Sequence, residues 1–382
     1  MRGFCTSWLA IVASMIVASL ANSRAGAASL DPQVAQQARA AIEKGLHYLE
    51  SSQQADGGWE AAGKSNPAVT ALAICALVGD PGYPSDHPMV DRAVRFLLTH
   101  RQPDGGIYEP DAEIRNYQTS VALMALAAAD PEQHRDTILD AQRFLRTLQW
   151  DEDEGHDKSS TWYGGQGYGK HKRPDLSNTQ MMLEALQQSG LSADDPAYRK
   201  ALIFISRCQM HASTNDQPFA AGSTDGGFIY TPANDGESMA GSEVVDGRTR
   251  LRSYGSMTYA GFKSLLYARL DRQDPRVLAA WDWIRRNYTL EHNPNMPFAQ
   301  SKEGLYYYYY VFARALHAWG EPTVRDARGD DHDWRGELCR KMVSLQLPGG
   351  SWVNEADRWM EGNPHLVTAY AVLALRTALS DS

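Results

Sequence analysis

The stretch Thr70-Ala-Leu-Ala-Ile-Cys-Ala-Leu77 is one of six related eight-residue segments in this chain of 382 residues. The other five begin at residues 119, 179, 258, 309 and 368. All six end in Leu, all have Ala or Ser at the seventh position, and five begin with Thr. Recurrence of one segment at a spacing of several tens of residues is typical of repeat architectures. The sequence therefore predicts six structural repeats with a period near 60 residues.

Each of the six segments is helical in character. They are rich in Ala, Leu and Met, they contain no Pro, and their apolar residues are spaced three and four positions apart. The small seventh position would let a neighbouring helix approach closely. A second helical segment precedes each one, for example around Phe96-Leu97 and around Phe144-Leu145. We therefore expect about twelve helices, arranged as six helical hairpins.

A glycine-rich segment lies between the two helices of a pair. It reads Gln54-Ala-Asp-Gly-Gly-Trp59, Gln102-Pro-Asp-Gly-Gly-Ile107 and Gln346-Leu-Pro-Gly-Gly-Ser-Trp352, with weaker versions at 163–165 and 225–228. Glycines that adopt positive φ, and an Asp that binds the backbone, form a helix stop and a tight turn. We expect the Gln to bind the backbone of the next repeat and the Trp to pack on the neighbouring pair.

Six helical hairpins can form either an open solenoid or a closed ring. A solenoid needs atypical polar repeats at both ends. Here the first and sixth repeats match the pattern well, including the Gly-Gly-Trp element. The predicted fold class is therefore all-α, with the architecture of an (α/α)6 toroid, in which six inner helices are surrounded by six outer helices.

The N-terminus has the pattern of a secretory signal peptide. An apolar stretch from Trp8 to Ala21 follows Arg2, and small residues follow it. We predict a signal peptide over 1–27, a toroid over 28–382 and a secreted or periplasmic location. A retained membrane anchor is the alternative, although the stretch is short for a membrane span. After cleavage we expect no stable membrane span.

The net charge argues against one class of partner, and the number of cysteines limits the disulfides that can form. Removing residues 1–27 takes away Arg2 and Arg24 and no acidic residue, so the net charge changes from −9 to −11. This acidic balance is unlike that of a nucleic-acid-binding protein, and no nucleic-acid partner is expected. Three cysteines remain, so at most one disulfide can form, and the sequence does not say which two would pair: Cys75, Cys208 and Cys339.

The first repeat carries a family resemblance. Its run Gly45, Tyr48-Leu49, Gln53 and Gly57-Gly58-Trp59 resembles the "QW" repeat of squalene and oxidosqualene cyclases, which protein prenyltransferase β subunits share. The six repeats extend over about residues 35–380, so the resemblance covers the mature chain. It implies a toroid of the terpenoid cyclase and prenyltransferase superfamily, with a cavity at one end of the ring that holds an isoprenoid chain.

The catalytic motif of that family is only partly matched. Protonating squalene cyclases carry Asp-x-Asp-Asp directly before the Thr that opens an inner helix. The counterpart here is Asp175-Leu-Ser-Asn-Thr179, in which Ser177 and Asn178 replace the second and third acids. Because Ser is not a strong acid, the central proton donor of the family is missing. Asp175 is the remaining catalytic candidate, and the alternative is that Ser177 or Asn178 simply caps the helix.

Other activities found in this superfamily lack their motifs. The zinc ligands of protein prenyltransferases would fall on Gly255, Met257 and Val367, none of which binds zinc. The Gly-Cys-Gly-Glu-Gln segment of complement-type thioester domains does not occur. The acidic run Asp151–Glu154 is interpreted as a solvated loop, with a calcium site as the weaker alternative. We therefore predict no metal and no cofactor.

Two long irregular stretches, 150–178 and 211–256, lead into inner helices. We expect them to meet at one end of the ring, where a cavity would open. The tyrosine run Tyr306–Tyr310 opens the fifth inner helix, either as an aromatic wall for a ligand or as ordinary packing. The predicted ligand-binding residues are Trp162, Tyr163, Tyr168, Asn178, Tyr254, Tyr307 and His365.

Charged residues occupy the sixth position of three inner segments: Glu184, Lys263 and Arg314. If Thr and Leu of each segment face the outer helices, this position faces the ring axis. Buried charges have to pair. We predict a Glu184–Lys263 or Glu184–Arg314 ion pair in the ring interior, with a structural role.

Three functions remain open at this stage. The first is an enzyme or carrier for an isoprenoid or other apolar small molecule, as the resemblance implies. The second is a glycan-active lyase or hydrolase, for which the sequence offers four acids near helix starts but no pairing among them: Asp111, Glu113, Asp175 and Asp225. The third is a non-catalytic extracytoplasmic scaffold that binds a protein partner.

Overall fold

The computed structural model describes residues 30–169, 172–245 and 247–380, so the predicted signal peptide lies outside the described residues. Within them, twelve α-helices alternate along the chain between an inner and an outer position. The inner helices are α2 (Pro67–Leu77), α4 (Arg115–Ala129), α6 (Leu176–Gln188), α8 (Gly255–Tyr267), α10 (Leu305–Trp319) and α12 (Pro364–Leu379). The outer helices are α1 (Pro32–Ser52), α3 (Pro88–Leu98), α5 (Arg135–Thr147), α7 (Pro196–Cys208), α9 (Pro275–Arg286) and α11 (Trp334–Leu345).

Short β-hairpins and 3₁₀ turns decorate the connections. The hairpins are β1–β2 (Glu60–Ala61 with Lys64–Ser65), β3–β4 (Gln209–His211 with Thr224–Phe228), β5–β6 (Ser242–Val245 with Arg248–Leu251) and β7–β8 (Thr323–Arg325 with Asp331–Asp333), all antiparallel. The 3₁₀ turns are Glu152–Glu154, Pro218–Ala220, Phe298–Gln300 and Arg358–Met360.

The ring is closed. Each inner helix packs against the next, and α12 packs against both α10 and α2. Outer helix α1 contacts both α11 and α12, so the first hairpin abuts the last. The Gln346 amide after α11 donates to the Ala41 carbonyl of α1 at 2.8 Å. The prediction of an all-α closed toroid is therefore confirmed.

Helix starts follow from local sequence. Six helices begin with Pro at the first position, directly after a residue whose side chain accepts from the first backbone N–H groups, as at Asn66-Pro67 and Asp195-Pro196. Pro has no N–H to leave unsatisfied there, and its φ already suits a helix. Inner helices such as α2 are buried on all sides, whereas outer helices such as α3 bury a single apolar face.

The Thr that opens five inner segments has a structural role in the glycine-rich turn. Its Oγ1 accepts a hydrogen bond from the backbone N–H that follows the turn, at 3.0–3.1 Å in every case. Both partners are buried, and a buried N–H needs an acceptor. The five pairs are Thr70 with Trp59, Thr119 with Ile107, Thr179 with Gln166, Thr258 with Phe228 and Thr368 with Trp352.

The turn glutamines join successive repeats, with one change from the prediction. Gln53, and not Gln54, donates to the Met89 carbonyl of the next outer helix, at 3.0 Å. Gln149 and Gln209 do the same in later repeats, whereas Gln102 binds carbonyls of its own turn. In the first repeat the bridge therefore starts one residue earlier than the Gln of the motif, whereas in the sixth repeat Gln346 of the motif forms it.

Cys75, Cys208 and Cys339 are free thiols and form no disulfide with one another. None of the helices in the described ranges is long and apolar enough to cross a membrane.

Candidate functional site

A cavity of about 260 Å³ opens at the end of the ring where the six inner helices begin. All six helices contribute residues from their first turns or from the residue before them. Six tyrosines form much of the wall: Tyr117, Tyr168, Tyr230, Tyr254, Tyr307 and Tyr370. Apolar side chains fill the spaces between them: Val69, Ile114, Met257, Trp359, Met360 and Leu366.

The two long loops meet at this cavity, as predicted. Tyr168 comes from the first loop, and Tyr230 and Tyr254 come from the second. The loops are also joined directly, because the Leu176 N–H donates to the Tyr230 carbonyl at 2.8 Å and the hydroxyl of Thr231 donates to the Pro174 carbonyl at 2.7 Å. One backbone hydrogen bond and one side-chain hydrogen bond therefore join the two loops.

The hydroxyl groups of the tyrosine wall bind one another and nearby amides. The hydroxyl oxygens of Tyr117 and Tyr370 are hydrogen-bonded to each other at 2.7 Å. The Tyr307 hydroxyl accepts from the Gln180 side-chain amide at 3.0 Å and from the Ser177 hydroxyl at 3.2 Å. Burial raises the pKa of Tyr117 to about 12 and that of Tyr307 further. These tyrosines are therefore neutral, and the wall is aromatic and uncharged.

Glu361 is the acidic residue of the cavity lining, and only 1% of its surface is exposed. Its Oε1 accepts from the Tyr307 N–H at 2.7 Å, and its Oε2 accepts from the Tyr306 N–H at 3.2 Å and from the Asn354 amide at 2.7 Å. Burial raises the pKa of Glu361 to about 7, although these donors act in the opposite direction.

Glu361 was not among the site residues predicted from the sequence. The available signal was its place in Glu361-Gly-Asn-Pro364, three residues before the sixth inner helix. An acid so close to the start of an inner helix has to lie near the same end of the ring as the predicted cavity.

Asp175, the predicted catalytic residue, caps helix α6 and is fully buried. Its two carboxylate oxygens accept from the Asn178 N–H at 2.8 Å and from the Asn178 side-chain amide at 2.9 Å. Burial raises its pKa to about 6. The capping alternative is thus correct in kind, but Asp175 caps the helix instead of Ser177 or Asn178. Asn178 lines the cavity, whereas Asp175 does not.

Four of the seven predicted ligand-binding residues line the cavity: Tyr168, Asn178, Tyr254 and Tyr307. The structure does not bring the other three there. Trp162 stacks on His156, and the Tyr163 hydroxyl donates to Glu152 at 2.8 Å. These two residues directly precede the Gly164-Gly165 turn, so they belong to the hairpin turn and not to the helix entry. The His365 ring stacks on the Tyr48 ring of α1, with 5.7 Å between the ring centroids.

Both predicted axial ion pairs form. Lys263 Nζ lies 2.5 Å from Glu184 Oε2, and Arg314 Nε lies 2.8 Å from Glu184 Oε1, which also accepts from the Tyr310 hydroxyl at 2.9 Å. Burial would raise the pKa of Glu184, but the two cations outweigh it and hold the pKa at about 2. Glu184 lies two helical turns beyond Ser177 of the cavity, so this cluster fills the axis about 10 Å deeper in the ring.

The four acids considered for glycan chemistry lie in three different places. Asp111 and Glu113 line a separate groove beside α5. Asp225 is bound by Ser253 at 2.5 Å and by the Gly227 N–H at 3.1 Å. Asp175 is the α6 cap, so the structure does not join these acids into one site.

The predicted acidic loop is tied by ion pairs. Asp151 and Glu152 lie 2.8 Å and 3.0 Å from Lys200 Nζ. Across the residues that the structure describes, no group of three or more His, Cys, Asp or Glu is arranged to hold a metal ion.

Comparisons with known proteins support the toroid fold, and a family model matches part of the sequence. Residues 65–231, under half of the chain, match the family model of the squalene-hopene cyclase C-terminal domain. A drimenyl diphosphate synthase from Streptomyces showdoensis is 40% identical over 68 residues. That match covers 17% of this chain and 13% of the length of the synthase.

Solved structures share the whole toroid at low identity. The type II terpene cyclase MstE from Scytonema has a TM-score of 0.55 and 15% identity, over 90% of this chain and 98% of its own. A D-mannose isomerase has a TM-score of 0.55 and 14% identity, over 91% of this chain and 99% of its own. A family 76 glycoside hydrolase from a bovine Bacteroides thetaiotaomicron strain has a TM-score of 0.53 and 10% identity, over 89% of this chain and 79% of its own. Likeness at this identity shows the fold alone. Together with the family-model match, it confirms the resemblance to the terpenoid cyclase-like superfamily.

Proposed function

We propose that this protein binds a short isoprenoid, or a similar apolar ligand, in the cavity at the end of the ring. The observation that carries the proposal is the wall of neutral tyrosines and apolar side chains around a space of about 260 Å³. Ligand pockets in proteins are mostly apolar and aromatic, with few polar groups that fix orientation.

The size of the cavity favours a small ligand. Pockets for drug-sized ligands usually hold about 300–1,000 Å³, and this cavity lies just below that range. The ion-pair cluster around Glu184 occupies the interior of the ring below the cavity, which favours a ligand that stays near the end of the ring. A short isoprenoid therefore fits better than a triterpene chain.

The chemistry of the wall suits an unsaturated hydrocarbon. Aromatic faces give a large apolar contact area and attract positive charge that develops on a ligand. The Tyr117–Tyr370 hydroxyl pair and the Ser177–Tyr307 bond satisfy their polar ends within the protein. Two of the similar proteins, the drimenyl diphosphate synthase and the type II terpene cyclase, are by name terpenoid enzymes, which supports an isoprenoid ligand.

The alternatives fit the site less well. A glycan-active enzyme needs two carboxyl groups facing one open groove. The cavity holds one carboxyl group, that of Glu361, and the other acids lie elsewhere. A purely scaffolding protein would need no such cavity.

We also propose that residues 1–27 are a signal peptide and that the toroid of 28–382 acts outside the cytoplasm. The apolar stretch after Arg2 supports this. N-terminal sequencing of the protein from the periplasm or culture medium should give a start near residue 28. Recovery of a chain that begins at Met1 from the cytoplasm alone would contradict the proposal.

Native mass spectrometry with added farnesol tests the binding proposal. We expect one farnesol per chain, and we expect the Ala68→Phe variant to lose it, because residue 68 lines the cavity and a larger side chain would fill it. Ala40→Phe is the matched control, since Ala40 is exposed on α1. Equal binding by both variants, or binding of a neutral oligosaccharide in place of farnesol, would contradict the proposal.

A further inference from the structure

A short loop, residues 355–360, borders the cavity between two buried residues, Asn354 and Glu361. We propose that this loop is a lid, which moves aside to let the ligand in and out, and that the ion pair between Arg358 and Glu303 helps to hold it closed. The proposal rests on the binding of an apolar ligand in the cavity. It adds the route by which that ligand passes between the cavity and the solvent.

Two side chains of the loop separate the cavity from solvent. Trp359 and Met360 both line the cavity, yet 43% and 45% of their surfaces are exposed. Side chains that border the cavity on one side and water on the other form its outer wall. Outward movement of these two residues would therefore open the cavity while the six inner helices stay in place.

The base of the loop is fixed. The Asn354 N–H donates to the Glu361 carbonyl at 2.9 Å, and the Asn354 side-chain amide donates to the Glu361 carboxylate at 2.7 Å. That carboxylate also accepts from the Tyr307 N–H of α10 at 2.7 Å. Asn354 and Glu361 are both buried. Because both ends are held, the residues between them can move as a unit about a few hinge positions.

Exposed side chains hold the outer part of the loop. Arg358 Nη1 lies 3.0 Å from Glu303 Oε2, and the Arg358 guanidinium lies over the Trp359 ring, 4.6 Å from its centroid. The Trp359 ring rests against Gly304, where a Cβ would come within 3.1 Å of it. Exposed ion pairs contribute little stability, and segments held in this way open locally at low cost.

The backbone of the loop also favours movement. Trp359 and Met360 adopt φ of 58° and 66°. Residues other than glycine rarely adopt positive φ, and they keep it only where surrounding contacts enforce it. Here the enforcing contacts are those of Trp359 with Gly304 and of Arg358 with Glu303. Opening the loop breaks these contacts but releases the strain, so the open and closed states lie close in free energy.

A bound ligand favours the closed state. It touches Trp359 and Met360 only while they line the cavity, so it binds the closed state more tightly than the open one. A ligand shifts a two-state equilibrium by its difference in affinity for the two states. The free protein therefore opens to admit the ligand and closes over it, and release of the ligand requires the loop to open again.

Chemical locking of the loop tests the proposal. Glu303 and Arg358 are both replaced by cysteine, the protein is loaded with deuterated farnesol, and the two thiols are joined with dithiobismaleimidoethane. Exchange of the bound farnesol for unlabelled farnesol is followed by native mass spectrometry of the full chain. We expect exchange to be slower by about tenfold or more in the locked protein, since release waits for a lid to open. Cleavage of the linker with dithiothreitol should restore the rate, and the final occupancy should not change.

The single variant Glu303→Cys, treated in the same way, is the matched control. It carries the same native thiols and lacks the second cysteine of the bridge. Equal exchange rates in the locked and cleaved proteins would overturn the lid and leave the binding proposal standing. Equal slowing in the single variant would also overturn it. Absence of farnesol binding by the wild type would remove both proposals.

The ion pair is tested without any crosslink. Glu303→Gln should speed farnesol exchange by about two- to fivefold, because it removes one partner of an exposed pair. Added salt should speed exchange in the wild type and not in this variant. Glu291→Gln is the control, since it removes a different exposed pair, with Lys341 of α11 at 2.6 Å. Equal rates in wild type and Glu303→Gln, or an equal gain in Glu291→Gln, would overturn the role of the ion pair.

Discussion

Glu184 is fully buried in the ring, and its single carboxylate forms ion pairs with both Lys263 and Arg314. Removing one partner of a buried ion pair leaves a charge without compensation. Burial already lowers the pKa of Lys263, and the proximity of Glu184 opposes that effect. The cluster therefore depends on Glu184 more than on either cation.

We predict that Glu184→Gln lowers the free energy of unfolding by about 3–5 kcal/mol, measured by urea denaturation. The double variant Glu184→Leu with Lys263→Met should lower the free energy of unfolding by less, because it removes one buried charge of each sign. A loss below about 1 kcal/mol in Glu184→Gln, or a larger loss in the double variant, would contradict this account.

Asp175 predicts a pH dependence of stability. Burial raises its pKa from 3.8 to about 6 in the folded protein. The folded state therefore binds the proton more tightly than the unfolded state, and the resulting stability is complete below about pH 4 and is lost as the pH rises through about 6. Asp175→Asn keeps an acceptor for the α6 cap and cannot titrate. The melting temperature of the wild type relative to this variant should fall between pH 4 and pH 7, and parallel curves would be the contrary result.

At the residue scale, a position beside the start of an inner helix was informative but not sufficient, since His365 in the first turn of α12 packs on Tyr48 of α1 instead. Asn178, Tyr254 and Tyr307 lie within a turn of a helix start, so the predicted end of the ring was enough to place them. Glu361 reaches the cavity through the positive φ of the two residues before it. Such backbone conformations at non-glycine residues leave no pattern in the sequence.

At the scale of elements, the repeat of helix, glycine turn and helix is built around one side-chain bond. The opening Thr of five inner segments accepts from the N–H after the turn, which accounts for its recurrence. The fifth repeat has Tyr309 at this position, and its hydroxyl donates to the Leu290 carbonyl at 2.7 Å instead. The recurrence of Thr was visible in the sequence, but its partner was not.

Thr119→Val tests this bond in the second repeat. Valine has nearly the same shape but no acceptor, so the buried Ile107 N–H loses its partner. We expect the free energy of unfolding to fall by about 1–3 kcal/mol in denaturant titrations. Thr119→Ser keeps the hydroxyl and is the matched control. If valine and serine cost the same, the bond does not contribute as proposed.

The β-hairpins were not predicted, for a physical reason. Their strands are two to five residues long, too short for an alternating pattern to be recognised. The twelve helices were predictable because each has several turns of buried apolar residues. The change from Gln54 to Gln53 reflects the same limit, since the exact end of a helix is set by its capping geometry.

At the scale of the whole molecule, closure of the ring brings residues from all six repeats to one cavity. The first and sixth repeats were both good matches to the motif, and this symmetry predicted closure. Side chains distant in sequence, such as Tyr117 and Tyr370, then meet at 2.7 Å. The sequence indicated the cluster below the cavity in one way only: three of the eight-residue segments have a charged residue at their sixth position.

Photocrosslinking tests whether the tyrosine-lined end of the ring is the ligand site. A short isoprenoid carrying a benzophenone group is irradiated with the protein, and the labelled peptides are identified by mass spectrometry. We predict labels on peptides that contain Tyr254, Tyr307 or Met360, and their suppression by excess farnesol. Labels confined to the outer groove at Asp111 and Glu113, or labels that farnesol does not suppress, would contradict the account.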